Sequence, residues 1–180
     1  LREALRALEQ MGLIVIRQGA GGGPIVNEVS SNTILESVTN FLHFKNITIA
    51  DLSKVRKLLE PSVARQAAEN LSEKEIKKLK ELNLACQETI ERGDSLIGAK
   101  EEIEFHTILA RASGNPVMIM IVDFVNVLLA DLKTQMKPDL QFSQQVLEAH
   151  EKILTAIESH DGEKAEKMMY RHICEVEEGL

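Results

Sequence analysis

His150 and His172 each stand 11 residues from Asp161, in the break Ser159-His160-Asp161-Gly162, and the segments flanking that break both have helical spacing. If the break folds the chain into an antiparallel helical hairpin, residues equally far from the turn lie at one height and can face each other. A third imidazole, His106, follows Glu102 by four residues, the spacing that puts a carboxylate and an imidazole on one helix face. Three imidazoles and one acid are a donor set for a divalent metal ion. They fill four positions and leave room for water or an incoming oxygen ligand; Zn, Ni, Mn and Fe accept such a set, Zn or Ni foremost.

A lone inward histidine is ordinarily a hydrogen-bonded core residue. His150 shares its face with Val146, Ile153, Leu154 and Ile157, and His172 shares one with Ala165, Met168, Met169 and Val176, so both point inward. Converging beside a carboxylate, the three would bury several polar groups without partners unless a cation joined them. His43 ends a helix and His160 sits in a turn, where capping or solvation is their role. Arg56 lies on a helix whose inward face carries Leu52, Val55, Leu59 and Val63. Its forked guanidinium can clamp a small organic acid whose other oxygen touches the metal; the competing role is a salt bridge with Glu60.

The elements that must position these groups are helices. Aromatic residues make up 3% of the chain and Trp is absent, so Leu, Ile, Val, Met and Ala must fill the core, which favours packed helices over sheets. From Ser31 onward no strand pattern appears, and breaks at 46–48, 70–72, 93–95, 113–116, 137–142 and 159–162 separate about seven helical segments. Ser72 followed by Glu75 reads as a capping box, and Asn115-Pro116 as an N-cap with Pro at the first helical position. The expected fold is mostly α, a bundle of about six or seven antiparallel helices over 30–180, with residues 1–29 as a separate piece. That piece reads as a helix over Leu1–Met11 stopped by Gly12, a strand at Leu13–Ile16, a Gly-rich tip and a short return strand at 24–26. A first helix already under way at residue 1, with no initiator Met, suggests sequence upstream.

Charge and composition narrow the function classes. A net charge of −7 argues against a chain coated in positive charge for nucleic acid, while leaving room for a local basic patch. Cys86 and Cys174 are too few and too far apart for a disulfide framework, which makes a reducing cytoplasm the default location. The most apolar run, 117–132, is interrupted by Asp123, Asn126 and Asp131 and reads as a central buried helix rather than a membrane span.

The run Arg2-Glu3-Ala4-Leu5-Arg6-Ala7-Leu8-Glu9-Gln10-Met11-Gly12-Leu13-Ile14, followed by a ribbon with Arg17 and a Gly-rich tip, resembles the end of the winged helix-turn-helix of GntR-family repressors. The resemblance implies base or phosphate contacts from Arg2, phosphate contacts from Arg6, and wing contacts from Arg17 and Gly19. The physics agrees: an Arg near a helix N-terminus reaches base edges, and a Gly tip lets backbone approach phosphate closely. An amphipathic helix beside any hairpin would share these features, and the earlier helices of the motif are not in this sequence.

The stretch from Ser53 to Glu60, Glu102 to His106, Ala112 to Pro116, Glu148-Ala149-His150 and Ala165 to His172 resemble, in that order, the ligand-binding (FCD) domain of FadR-type GntR regulators. The resemblance implies Glu102, His106, His150 and His172 as metal ligands, with a departure: the family usually has Asp at the Glu102 position, and the extra methylene can shift the acid or remove it from the metal. It also places Asn115 near the effector pocket, although an N-cap is the simpler role for that residue.

Together these readings describe a transcription regulator, not an enzyme: a winged helix-turn-helix that binds operator DNA, and a metal-holding helical domain whose small carboxylate effector modulates that binding. A palindromic operator calls for a homodimer. The alternatives are a metal-dependent hydrolase or other metalloenzyme, with Glu102 or Glu104 as base, and a bundle whose metal only stabilises it. Against the enzyme, neither a His-Glu-x-x-His stretch nor a Glu-x-x-His pair occurs.

Overall fold

The computed structural model describes residues 1–19, 21–26, 46–96, 100–137 and 139–180, which form two compact units, Leu1–Lys45 and Asn46–Leu180. The expected domain boundary at 29/30 and His43 lie outside the described residues.

In the first unit, helix α1 (Arg2–Gln10) leads into β1 (Ile14–Arg17), which pairs antiparallel with β2 (Gly23–Val26) in the register Ile14↔Val26 to Arg17↔Gly23. The turn between the strands is made by glycine: Gly19 and Gly21 have φ of 113° and 92°, backbone that a Cβ disfavours. Arg2, Arg6, Arg17 and Gly19 are all exposed.

Among its described residues the second unit is a bundle of six helices: α2 (Ile49–Asn70), α3 (Glu73–Glu91), α4 (Lys100–Arg111), α5 (Pro116–Met136), α6 (Leu140–Glu158) and α7 (Gly162–Gly179). Their starts have local causes. Ser72 and Glu75 form the expected capping box, and Thr48 and Asp51 form a second one. Asn115 Oδ1 accepts from the backbone N–H groups of Val117 (3.0 Å) and Met118 (3.3 Å), with Pro116 next in line. Asp139 and Asp161 cap α6 and α7. Lys137, at φ 51°, ends α5, so the break expected over 137–142 closes sooner and α6 begins at Leu140.

Of the three apolar clusters among the described residues of the bundle, two flank the polar groups. One gathers Val63, Ala67, Leu79, Phe105, Leu109, Ile153, Ile157, Met169 and Ile173; the other gathers Leu52, Val125, Leu129, Phe142, Val146 and Val176. Along α2, Arg56 and Glu60 fall between Leu52 and Val63; along α6, His150 falls between Val146 and Ile153; along α7, His172 falls between Met169 and Val176. A polar layer therefore crosses an otherwise apolar interior. The interruptions in the apolar helix α5 serve packing as well: Thr107 Oγ1 on α4 donates to Asp123 Oδ1 at 2.6 Å, and Asn126 faces inward. No helix of the described residues is long and apolar enough to cross a membrane.

Candidate metal centre and effector pocket

The α6–α7 hairpin turns at 159–161, and its two histidines meet as the spacing predicts. The His150 and His172 ring centroids are 4.8 Å apart, and His106 from α4 stands 5.0 Å and 5.4 Å from them. One ligating atom from each of the three lies within 4.8 Å of the others, and all three side chains are buried. Phe105, the neighbour of His106, stacks on the His150 ring at 4.1 Å and 7° and limits its rotation.

Burial first, and then the neighbouring cationic and imidazole groups, push His150 and His172 well below the ordinary histidine range, so both are neutral near pH 7. His150 Nε2 and both ring nitrogens of His172 are buried without a hydrogen-bond partner. Buried polar atoms are ordinarily paired, at a cost of about 1–3 kcal/mol each when they are not. Neutral imidazoles with unshared nitrogens, gathered at one point, are a fitting donor set for a divalent cation.

The fourth partner differs from the sequence expectation. Glu102 is buried beside the cavity, but its carboxylate accepts from the Lys133 ammonium, reaching across from α5. The carboxylate that meets His106 is Glu60: its Oε2 lies 2.6 Å from His106 Nδ1, at ion-pairing distance although the N–H does not point along the contact. Glu60 also accepts from Arg56, Nε to Oε1 at 2.5 Å and Nη2 to Oε2 at 3.3 Å. Burial opposes the Glu60 charge, but Arg56 and His106 outweigh it and hold the carboxyl far below the usual range. The Arg56–Glu60 salt bridge is thus real and almost wholly buried.

Arg56 nevertheless reaches the pocket. A small cavity beside His106 is lined by Arg56, Glu102, His106, Asn126, Leu129 and Lys133 among others. Arg56 Nη2 lies 3.4 Å from His106 Nε2, and its Nη1 is buried and unpaired. Asn115 is exposed, and its side chain is spent on capping α5. His160 sits in the turn at φ 53°, with Nδ1 2.8 Å from the Ala68 carbonyl oxygen, as a turn residue should. Both cysteines are free, and burial, with help from Glu102 and Glu101, pushes the Cys86 thiol up to about 12, which makes it an inert core group.

Sequence reasoning missed Lys133 and Asn126. A signal existed: Val122, Val125, Asn126, Leu129 and Lys133 share the inward face of α5 at helical spacing, so the two polar residues had to be buried along with the apolar ones.

The FCD domain family matches residues 51–174, a span that contains every group of this polar layer. The chain belongs to the GntR family of transcription regulators, in its FCD-domain branch. Over its whole length this GntR-family chain is 34% identical to the HTH-type transcriptional regulator LutR of Bacillus subtilis, of which it covers 83%. It is 30% identical to the HTH-type transcriptional repressor NanR of Salmonella newport, across 98% of this chain and 68% of that one. Among solved structures, Streptococcus agalactiae GntR superposes with a TM-score of 0.75 at 25% identity, covering 99% of this chain and 80% of that one.

Proposed function

We propose that this FCD-domain regulator holds one divalent cation, Zn or Ni foremost and Mn or Fe next, on His106, His150 and His172, and that a small organic acid binds beside it and changes operator binding. The observation that carries this reading is the set of buried, unpaired imidazole nitrogens within 4.8 Å of one another. Glu102 is the acid next in reach and joins the cation only by giving up Lys133. Arg56 Nη1 offers a free donor to an acid in the cavity.

The operator-binding surface in this proposal is α1 with Arg2 and Arg6 and the β1–β2 wing with Arg17 and Gly19, acting as the end of a winged helix-turn-helix. A homodimer follows from a palindromic operator. Helix α5 supports it, since Val117, Met120 and Val127 leave apolar side chains exposed on it. A cytoplasmic location suits a DNA-binding protein.

The metalloenzyme reading lacks a free base. Glu102 is neutralised by Lys133, and Glu104 lies near Lys78 at 3.9 Å.

Elemental analysis of protein purified without added metal tests the proposal: about one divalent ion per chain is expected in the wild type, and near none in His150→Ala and His172→Ala. Equal metal in all three sinks the site. In the full-length protein, Arg2→Ala and Arg17→Ala should weaken operator binding; unchanged affinity and salt dependence would assign DNA contact elsewhere.

A further inference from the structure

His106 has charged groups of opposite sign against its two ring nitrogens. Glu60 Oε2 lies 2.6 Å from Nδ1, and Arg56 Nη2 lies 3.4 Å from Nε2. Glu60 and Arg56 are each 2% exposed and His106 3%, so little solvent screens either contact.

The two contacts agree on where the imidazole proton sits. A carboxylate only accepts, and a ring nitrogen carrying a lone pair would be repelled from its oxygen at 2.6 Å, so the N–H belongs on Nδ1. A guanidinium only donates, and a ring N–H turned toward it would be repelled, so the lone pair belongs on Nε2. Glu60 is itself held in place, because Arg56 donates to it through Nε at 2.5 Å and Nη2 at 3.3 Å across one turn of α2. Which nitrogen of a histidine binds a metal is set by the bond that the other nitrogen makes.

Resting on the metal reading above, we infer that Glu60 is a positioning residue: it holds His106 with the proton on Nδ1, so that Nε2 is the nitrogen offered to a cation, and Arg56 fixes Glu60 from behind. Glu60 itself stays off the cation. The Nδ1–H lies off the line to Oε2, which leaves the ring a small turn to make as Nε2 leaves Arg56. Neutralising Arg56 does not by itself require the second contact. Glu60 bridges α2 to α4, and Glu102, on the same helix as His106, is already taken by Lys133.

Nitrogen-15 NMR of the metal-free chain labelled at histidine reads the proton position, and competition with a chelator reads zinc affinity. Wild-type His106 should carry its proton on Nδ1. In Glu60→Gln the amide oxygen goes to Arg56 and the amide NH2 turns to His106, so the proton should move to Nε2 and zinc should bind about 10- to 100-fold more weakly. Glu60→Asp keeps the charge beside Arg56 but draws the carboxylate back from α4. Zinc should bind it about 10-fold more weakly, and it carries the test if Glu60→Gln does not fold. A residue that served only the fold would leave the proton where it is in both variants. A wild-type His106 protonated on Nε2, or zinc affinity unchanged in Glu60→Asp, overturns the inference and leaves the metal reading standing. A wild type that binds no zinc overturns both.

Discussion

The polar layer of the bundle has two sides that meet the cost of burial in opposite ways. On the ion-pair side, Arg56 with Glu60 and Lys133 with Glu102 balance each other's charge within the chain. On the histidine side, His150 and His172 have no partner inside the protein and stay neutral. A fold that only needed to close over this layer could have paired both sides or made both apolar. The difference teaches that the acids are paired within the chain, whereas the histidines leave buried ring nitrogens without a hydrogen-bond partner.

The comparison breaks most visibly at Glu60. Glu60→Gln strips Arg56 of its buried counter-charge and should cost about 3–5 kcal/mol in a urea melt of metal-free protein. A loss under about 1 kcal/mol would mean that the pair is a bystander. His172→Leu, by contrast, replaces a buried group that has no partner with an apolar one, and metal-free protein should lose little or even gain stability.

Acid separates the two sides by where each titrates. The folded-state pKa values of His150 and His172 lie well below the ordinary 6.5, so the unfolded chain takes up protons first as pH falls. Their stabilisation is fully present above pH 6.5 and is lost as pH drops through the interval below it, with a slope of up to about 1.4 kcal/mol per pH unit for each histidine. Glu60, whose carboxyl is also depressed, loses its contribution only as pH falls below its ordinary 4.5. Melts of metal-free protein at several pH values should therefore fall between 6.5 and 5 in the wild type and stay flatter in a His150→Leu/His172→Leu double variant. A wild type that is flat there would show that the imidazoles are not held neutral.

The smallest effect is expected outside the layer. The ion pair between Lys80 and Glu158 is largely solvated, and Glu158→Gln should change stability by no more than about 1 kcal/mol. A larger loss would mean that burial is not what distinguishes the Arg56–Glu60 pair.

What could be read without coordinates was whatever depends on near neighbours in sequence. The heights of His150 and His172 follow from a short turn, because a tight hairpin between consecutive antiparallel helices sets their register. The Ser72 box, the Asn115 cap and the Arg56–Glu60 pair at four residues' spacing are local in the same sense, as is the ribbon with its glycine tip. Membership of the GntR family was legible for a related reason: the motifs run in order along the chain.

The sequence by itself determined that His150 and His172 face inward and meet, but not every inward residue: Val55, expected on the inner face of α2, is exposed, and Lys133 is buried. Which acid each inward group meets was decided by the tertiary structure. Glu102 and His106 share a helix face, yet Glu102 turns to Lys133, 31 residues away, while His106 meets Glu60 from another helix. Those choices depend on the rotation of each helix about its axis and on the angle at which neighbours cross, and a few tens of degrees move a side chain from one partner to another. Periodicity along one helix carries no information about that rotation relative to its neighbours, so the pairing of the polar layer became definite only when α2, α4 and α5 packed around it.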